Sequence, residues 1–286
     1  MLVDKPEGWT SHDVVARIRR VANTRRVGHA GTLDPMATGL LVLGVESATK
    51  LLTFIVGADK TYEATIRLGA STITDDRESE FLEQATAEAV AKISTREILD
   101  SIAELTGAIE QVPSSVSAIK VDGVRAYAKV RGGDEVKLKA RPVTVSRFEV
   151  IGEPRHLEGF IDLEVIIDCS SGTYIRALAR DLGSKLGIGG HLTALRRTRV
   201  GGYTIDQAAK LPEIGDELKV ISSVEAARVF TTLELTEQQV VDLRHGKRIA
   251  NEQGLSGDIS AIHADQLIAI LTPAGTQLKS QVVFND

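Results

Sequence analysis

Cysteine, aromatic residues and long apolar runs are all scarce in this 286-residue chain. The single cysteine, Cys169, excludes an internal disulfide and any zinc site built from several cysteines. No run of about eighteen apolar residues is present, so we expect no membrane span. The first residues lack the apolar segment of a signal peptide. Together with an ordinary globular composition, these absences predict a cytoplasmic protein.

The usual motifs for nucleotides and metals are missing as well. The chain has no G-x-x-x-x-G-K-[ST] loop, no G-x-G-x-x-G fingerprint and no H-E-x-x-H helix. Gly39 and Gly44 have the spacing of the glycines in a phosphate-binding loop, but no lysine follows them. We therefore expect neither a bound cofactor nor a metal.

The net charge of −5 does not by itself suggest a nucleic-acid partner, but the charges are unevenly distributed. Lysine and arginine outnumber the acids in residues 17–34, 120–147 and 176–199, whereas acids concentrate in residues 75–110 and 213–242. Local basic regions govern phosphate binding more than the global sum does. Because such patches are also typical of solvated helix faces, charge alone leaves both interpretations open.

Helix and strand patterns alternate without the regular rhythm of a doubly wound sheet, which favours an α+β fold. Residues 60–69 alternate as a strand that places Tyr62 on its apolar face. Capping boxes beginning at Ser94 and Thr236 predict two helices, and Ser11 is expected to cap a third.

The chain turns acidic around residues 212–228, and this change predicts a domain boundary. We expect a large domain over residues 1–225 and a small β-rich module over residues 230–286. A module of this size is small, so it is expected to lean on the larger domain.

The densest group of chemically informative residues lies between Arg25 and Gly39. Glycines at 28 and 31 permit a close backbone approach to a ligand, and Arg25 and Arg26 directly precede them. Asp34 is followed by proline, which is typical of the start of a helix. The local sequence therefore leaves two interpretations of Asp34, a helix cap and a catalytic carboxylate, and favours the cap.

Residues 28–39 match the motif G-H-x-G-x-L-D-P-x-A-T-G and closely resemble the catalytic loop of the TruB family of tRNA pseudouridine-55 synthases. Four further blocks resemble the family in the same order along the chain: Asp4-Lys5-Pro6-x-Gly8, Lys60-Thr61-Tyr62, Val112-Pro113-Ser114 to Gly123 with Tyr127, and Ser171 to Arg176 followed by Leu195-Arg196-Arg197. The chain departs from the family at Val112, where a proline is common.

The resemblance implies a pseudouridine-synthase fold, with a mixed, largely antiparallel central sheet flanked by helices and a PUA-like RNA-binding module at residues 230–286. It also implies isomerisation of a uridine at position 55 in the T-loop of tRNA, without a cofactor. The implied partner is the T-arm stem-loop of tRNA, and we expect the protein to be a monomer.

The resemblance also assigns roles to single residues. Asp34 is the expected catalytic carboxylate, acting on a base that has left its stack, and Arg176 is expected to pair with it. Tyr62 is expected to stack on the uracil, and His29 to fill the space that the base vacates. Tyr174 and Leu195 are expected to line the same pocket. The candidate phosphate contacts are Lys5, Arg25, Arg26, Lys120, Arg196, Arg197 and Arg199.

Three alternative functions stay open at this point. The nearest is a synthase of the same fold that modifies another RNA. A second is an RNA-binding protein without catalysis, although such a protein has no need for a carboxylate that faces phosphates. A third is an enzyme acting on a small molecule, which fits poorly with three basic segments.

Overall fold

The computed structural model describes residues 1–114, 120–121, 124–125, 138–211 and 220–284. These residues form two compact units. The first unit contains residues 1–34, 40–57 and 200–286, and the second contains residues 35–39 and 58–199. None of the helices in the described part of the chain is long and apolar enough to cross a membrane.

In the part of the chain that the structure describes, the first unit combines helices with strands of two sheets. Its elements are β1 (Leu2–Lys5), α1 (Ser11–Val21), β2 (Val27–His29), most of β3 (Thr38–Val45), a 3-10 helix (Glu46–Leu51), α2 (Leu52–Val56), β14 (Tyr203–Thr204), a 3-10 helix (Ile205–Gln207), β15 (Ala209–Lys210), α6 (Ser223–Ala227), β16 (Thr231–Glu234), α7 (Glu237–Arg244), β17 (Ile249–Ala250), β18 (Ile259–His263), β19 (Gln266–Ala274) and β20 (Gln277–Val283).

Both parallel and antiparallel strand pairs occur in the first unit. Strand β1 lies between β15 and β3 and pairs with β15 in parallel, whereas β2 pairs with β3 antiparallel. The five C-terminal strands form a separate sheet in the order β16-β18-β19-β20-β17, so this part of the chain is rich in β structure as predicted. The boundary between domains at residues 225–230 stays a prediction, and residues 212–219 lie outside the described part.

The second unit contains β4, the strand that the alternating pattern of residues 60–69 predicts. Its elements are β4 (Lys60–Leu68), β5 (Ala70–Thr72), β6 (Phe81–Gln84), α3 (Ala87–Ala91), α4 (Thr95–Glu104), β7 (Gly107–Gln111), β8 (Lys120–Val121), β9 (Val124–Arg125), β10 (Arg141–Val150), β11 (Arg155–Leu157), β12 (Phe160–Cys169), α5 (Ile175–Lys185) and β13 (Gly190–Val200).

The main sheet of the second unit has the order β13-β4-β12-β10-β7. The pairs β4–β12, β12–β10 and β10–β7 are antiparallel, and helix α5 packs against β4. Residues 38–39, the start of β3, pair in parallel with residues 196–197 of β13. Mixed sheets flanked by helices were expected, and the predicted α+β fold class is confirmed.

The predicted helix starts are partly correct. Capping boxes form at Ser94 and at Thr236, as the sequence indicates. The prediction that Ser11 caps α1 is wrong, because Thr10 is the cap and forms a capping box with Asp13. Ser11 is instead the first helical residue and is buried, which leaves its hydroxyl available for a contact elsewhere in the first unit.

Candidate active site

The six residues predicted to form the catalytic pocket are distributed over both compact units, and their surroundings are described here unit by unit. His29 and Asp34 belong to the first unit, whereas Tyr62, Tyr174, Arg176 and Leu195 belong to the second.

Asp34 lies directly before a turn and not at the start of a helix. It is half-buried, and the described residues that follow it form a turn at Pro35 and Met36 and then strand β3, with no helix. The interpretation of Asp34 as a helix cap, which the local sequence favours, is therefore wrong.

The backbone just before Asp34 is fixed to helix α1. The Ser11 hydroxyl accepts a hydrogen bond from the Leu33 N–H (2.9 Å) and donates one to the Leu33 carbonyl (3.2 Å). Both residues are buried, with 1% and 4% of their surface exposed. Because buried hydrogen bonds of this kind are costly to lose, Ser11 holds the backbone at Leu33 in one place.

The motif glycine at position 39 is required by its surroundings. Its φ is +101°, and an added Cβ would lie 2.3 Å from the Arg197 carbonyl oxygen. Any other residue would both strain the backbone and separate β3 from β13, the strand that carries Leu195 and Arg197. Gly39 therefore fixes the end of the motif that begins at Gly28.

His29 ends strand β2 and is partly buried. Its ring lies edge-on to the ring of His12 on α1, with 5.9 Å between the ring centroids. The ring of His29 thus packs against a side chain of α1. Its predicted role in filling the space of a displaced base stays a prediction.

Tyr62 lies on the buried face of β4, as its alternating pattern predicts. It shares that face with Ala64, Ile66 and Leu68, and 8% of its surface is exposed. Strand β13 lies next to β4 and carries Leu195, which is 7% exposed. The two side chains thus lie on neighbouring strands, and their contact with a uracil stays a prediction.

Tyr174 occupies the N-cap position of helix α5, and its backbone is held by strand β7. The Tyr174 N–H donates to the Gln111 side-chain oxygen (2.8 Å), and the Gln111 amide donates to the Tyr174 carbonyl (3.1 Å). Gln111 is buried, so these bonds fix the start of α5 and the direction in which the next residues project.

Arg176 lies in the first turn of α5 and is buried, with 6% of its surface exposed. Its guanidinium donates to the Thr74 carbonyl (2.7 Å) and lies 3.3 Å from the carboxylate of Asp76. A buried cation at a helix N-terminus is unfavourable, and the opposite charge of Asp76 offsets this cost. The pairing of Arg176 with Asp34 stays a prediction.

Sequence analysis missed the turn that carries Asp75 and Asp76. Asp76 accepts a hydrogen bond from the Glu78 N–H (3.0 Å), and Asp75 forms an ion pair with Arg180 (3.3 Å). Burial raises the pKa of Asp75, against the effect of Arg180. The sequence does contain a pattern that could have indicated these ion pairs. Two adjacent acids, Asp75 and Asp76, follow a strand, and two arginines, Arg176 and Arg180, lie four residues apart on one helix.

Two of the predicted phosphate contacts are wrong because their side chains are buried. Lys5 is 0% exposed, and its ammonium group donates to the carbonyls of Pro6 (2.9 Å) and Trp9 (2.6 Å). Arg197 is 1% exposed on β13. Both cations act inside the protein, where a phosphate of a nucleic acid does not reach them.

The other predicted phosphate contacts lie nearer the surface. Arg25 and Arg26 are exposed, and Arg26 lies 3.6 Å from Glu46. Arg196 and Arg199 are half-buried, and Arg199 donates to the Thr61 hydroxyl (2.8 Å). The side chain of Lys120 lies outside the described residues. These four described arginines stay predicted phosphate contacts.

The described residues contain no group of three or more His, Cys, Asp or Glu side chains that could hold a metal ion. Burial raises the pKa of Cys169 to about 11, so its thiol is not a nucleophile near neutral pH. Among the carboxylates described above, Asp34 lies in the motif between Gly28 and Gly39, and it is half-buried.

Comparison with known proteins gives a consistent result over the whole chain. Residues 19–175 match the TruB family pseudouridylate synthase N-terminal domain, residues 176–242 match the tRNA pseudouridylate synthase B C-terminal domain, and residues 230–285 match the tRNA pseudouridine synthase II C-terminal domain. Among curated relatives, tRNA pseudouridine synthase B of Leifsonia xyli subsp. xyli is 57% identical over 99% of this chain and 95% of its own length. The enzyme of the same name from Arthrobacter sp. (strain FB24) is 55% identical over the same shares of the two chains.

Solved structures with low sequence identity share the fold. A crystal structure of a Cbf5-Nop10-Gar1 complex superposes with a TM-score of 0.72 at 22% identity, covering 98% of this chain and 83% of the other. An H/ACA RNP bound to a substrate RNA containing 2'-deoxyuridine gives the same TM-score, covering 99% of this chain and 84% of the other. The family matches and the fold together confirm the predicted resemblance: this chain belongs to the TruB family of pseudouridylate synthases, which are isomerases.

Proposed function

We propose that this protein converts a uridine in the T-loop of tRNA, at position 55, to pseudouridine without a cofactor. The N-glycosidic bond between C1′ and N1 breaks, the uracil turns, and C1′ joins C5 of the same base. The proton of C5 is released and N1 gains one, so the substrate neither gains nor loses electrons. The curated relatives are named as tRNA pseudouridine synthases, which supports tRNA as the substrate.

The observation that carries this proposal is the position of Asp34. It is a half-buried carboxylate directly before a turn, next to a residue whose backbone is held by Ser11. A held backbone lowers the cost of positioning the side chain when a substrate arrives, which is a property expected of a catalytic group. We assign Asp34 as the carboxylate that acts at the ribose of the target uridine.

The surrounding residues have distinct roles in this proposal. The target base must leave its stack at a cost on the order of a few kcal/mol, which binding contacts offset. His29 fills the vacated space, and Tyr62 stacks on the displaced uracil. Arg176 keeps the carboxylate of Asp34 ionised by its opposite charge. Tyr174 and Leu195 close the pocket around the base.

The experiment is a conversion assay with a T-arm RNA hairpin, in buffer containing a chelator and no cofactor. Pseudouridine is detected by mass spectrometry at each uridine. A hairpin of the same stem with a shuffled loop serves as the control. Conversion at a single T-loop uridine, and none in the shuffled loop, supports the proposal. Equal conversion of both hairpins contradicts the T-loop assignment, and binding of both without conversion favours a protein that only binds RNA.

A further inference from the structure

A surface groove on the first unit is lined by the only tryptophan of the chain. The Trp9 groove, as we call it, consists of Gly8, Trp9, Asp13, Ala16, Arg17 and Arg20 and encloses about 380 Å³. This volume lies within the usual range of ligand sites, roughly 300–1,000 Å³. Trp9 is 38% exposed, so its indole is available to a ligand from solution.

The local sequence holds the groove in shape. The buried ammonium group of Lys5 donates to the Trp9 carbonyl (2.6 Å), and Gly8 adopts a φ of +80° in the turn before it. On helix α1, Arg17 and Arg20 follow Asp13 by four and seven residues, so all three lie on one face. The backbone of Trp9 is therefore held by Lys5, and Arg17 and Arg20 line the same groove.

The chemistry of the groove matches that of a nucleotide. An exposed indole offers a flat surface on which a base of any kind can stack, and arginine binds phosphate with several hydrogen bonds. The acid in the groove, Asp13, is occupied by the helix cap, since it accepts hydrogen bonds from the Thr10 N–H (2.9 Å) and hydroxyl (2.6 Å). These bonds also lower the pKa of Asp13, so its carboxylate stays ionised and the two arginines leave the groove with one net positive charge.

Helix α1, whose exposed face lines the groove, also contacts the catalytic loop of the same unit through Ser11 and His12. Ser11, two residues after Trp9, forms the hydrogen bonds that hold Leu33, the neighbour of Asp34. His12, the next residue, contacts the ring of His29. An RNA whose target base reaches Asp34 therefore passes near helix α1.

We propose that the Trp9 groove binds a nucleotide of the RNA substrate outside the catalytic pocket. The base stacks on Trp9, and Arg17 and Arg20 hold its phosphate. The inference rests on the proposed function, because it takes the RNA of that reaction as the ligand.

The test follows the fluorescence of Trp9, the sole tryptophan, while the full-length protein is titrated with the T-arm hairpin. Affinity is measured in parallel by filter binding for Trp9→Ala, Arg20→Gln and the double variant Arg17→Gln/Arg20→Gln. Arg96→Gln is the control, since Arg96 is an exposed helical arginine 3.6 Å from Asp100. Circular dichroism verifies that each variant is folded. Conversion by the wild type is assayed in the same samples.

We expect RNA to quench Trp9 with the same dissociation constant that filter binding gives. Trp9→Ala weakens binding by about 5- to 150-fold, the usual effect of losing one stacked base. Arg20→Gln lowers the slope of log affinity against log salt by about 0.7–0.9, whereas Arg96→Gln changes neither quantity.

Suppose that the wild type converts the hairpin without quenching of Trp9, and that folded Trp9→Ala and Arg20→Gln bind it with unchanged affinity. This result overturns the groove as an RNA site and leaves the proposed function intact. If RNA quenches Trp9 and the variants bind more weakly, but the wild type does not convert the hairpin, the groove stands as an RNA site and the proposed function is contradicted. A wild type that does not bind the hairpin overturns both.

Discussion

The guanidinium of Arg176 lies 3.3 Å from the carboxylate of Asp76, and the two side chains are only 7% and 2% exposed. A buried ion pair of this kind is unfavourable to break, because the remaining charge has no water to solvate it. Arg176 is therefore held at the start of α5 by a residue 100 positions earlier in the chain.

We predict that Asp76→Asn lowers the free energy of unfolding by about 3–5 kcal/mol, since it removes a buried negative charge that lies 3.3 Å from the buried guanidinium of Arg176. Urea denaturation measures this change. The control is Asp100→Asn, which removes an exposed partner of Arg96 and is expected to change stability by about 0.5 kcal/mol or less. Equal effects of the two substitutions would show that the Asp76 pair does not stabilise the protein.

Gly39→Ala is expected to destabilise the protein strongly. The added Cβ would lie 2.3 Å from the Arg197 carbonyl at a φ of +101°, so β3 and β13 cannot keep their pairing. Gly57→Ala is the matched control, because a Cβ at Gly57 meets no atom within 4 Å. Thermal unfolding should show a large drop in the melting temperature for Gly39→Ala alone, and an unchanged melting temperature for that variant would contradict the described strand pairing.

Tyr62→Ala is predicted to lower kcat/KM by about 5- to 150-fold, in line with about 1–3 kcal/mol for one stacked base. Because Tyr62 is also buried, the loss of core packing must be separated from the loss of stacking. Ile66→Ala on the same face of β4 provides the comparison, as Ile66 is 0% exposed. If both variants stay folded and lose activity equally, the ring of Tyr62 serves only the core.

Lys60 gives a prediction for the pH dependence of stability. It is 6% exposed, and desolvation lowers its pKa to about 8. Below pH 8 the folded protein bears the cost of a buried charge. Between pH 8 and about 10.4, the usual lysine value, the unfolded chain binds more protons than the folded one, so stability rises with pH.

We therefore expect the wild type to gain stability relative to Lys60→Met as the pH rises from about 8 to 10. Guanidinium denaturation at several pH values measures the difference between the two proteins. Lys92→Met, at an exposed lysine, controls for the loss of one lysine. A constant difference between wild type and Lys60→Met over this range would contradict the lowered pKa of Lys60.

Features set by local spacing were predictable from the sequence. The buried face of β4 with Tyr62 follows from simple alternation, and the caps at Ser94 and Thr236 follow from a three-residue spacing. The same spacing links Thr10 to Asp13, so the correct start of α1 was also present in the sequence pattern.

Features set by contacts between distant residues were not predictable in this way. Charge marks Lys5 and Arg197 as possible phosphate contacts, but only the fold shows that both are buried. The ion pair between Asp76 and Arg176 depends on how α5 packs against β4 and β5. Local pattern also favoured a helix after Asp34, whereas the fold continues into β3.

The catalytic assignment of Asp34 is tested most directly by Asp34→Asn, which keeps the shape of the side chain and removes its charge. RNA binding and conversion of the T-arm hairpin are measured on the same folded preparation. We expect the variant to bind the hairpin and to convert it at least about 1,000-fold more slowly, which corresponds to a barrier about 4 kcal/mol higher. Conversion by Asp34→Asn at a rate close to that of the wild type would contradict the assignment and, with it, the proposed mechanism.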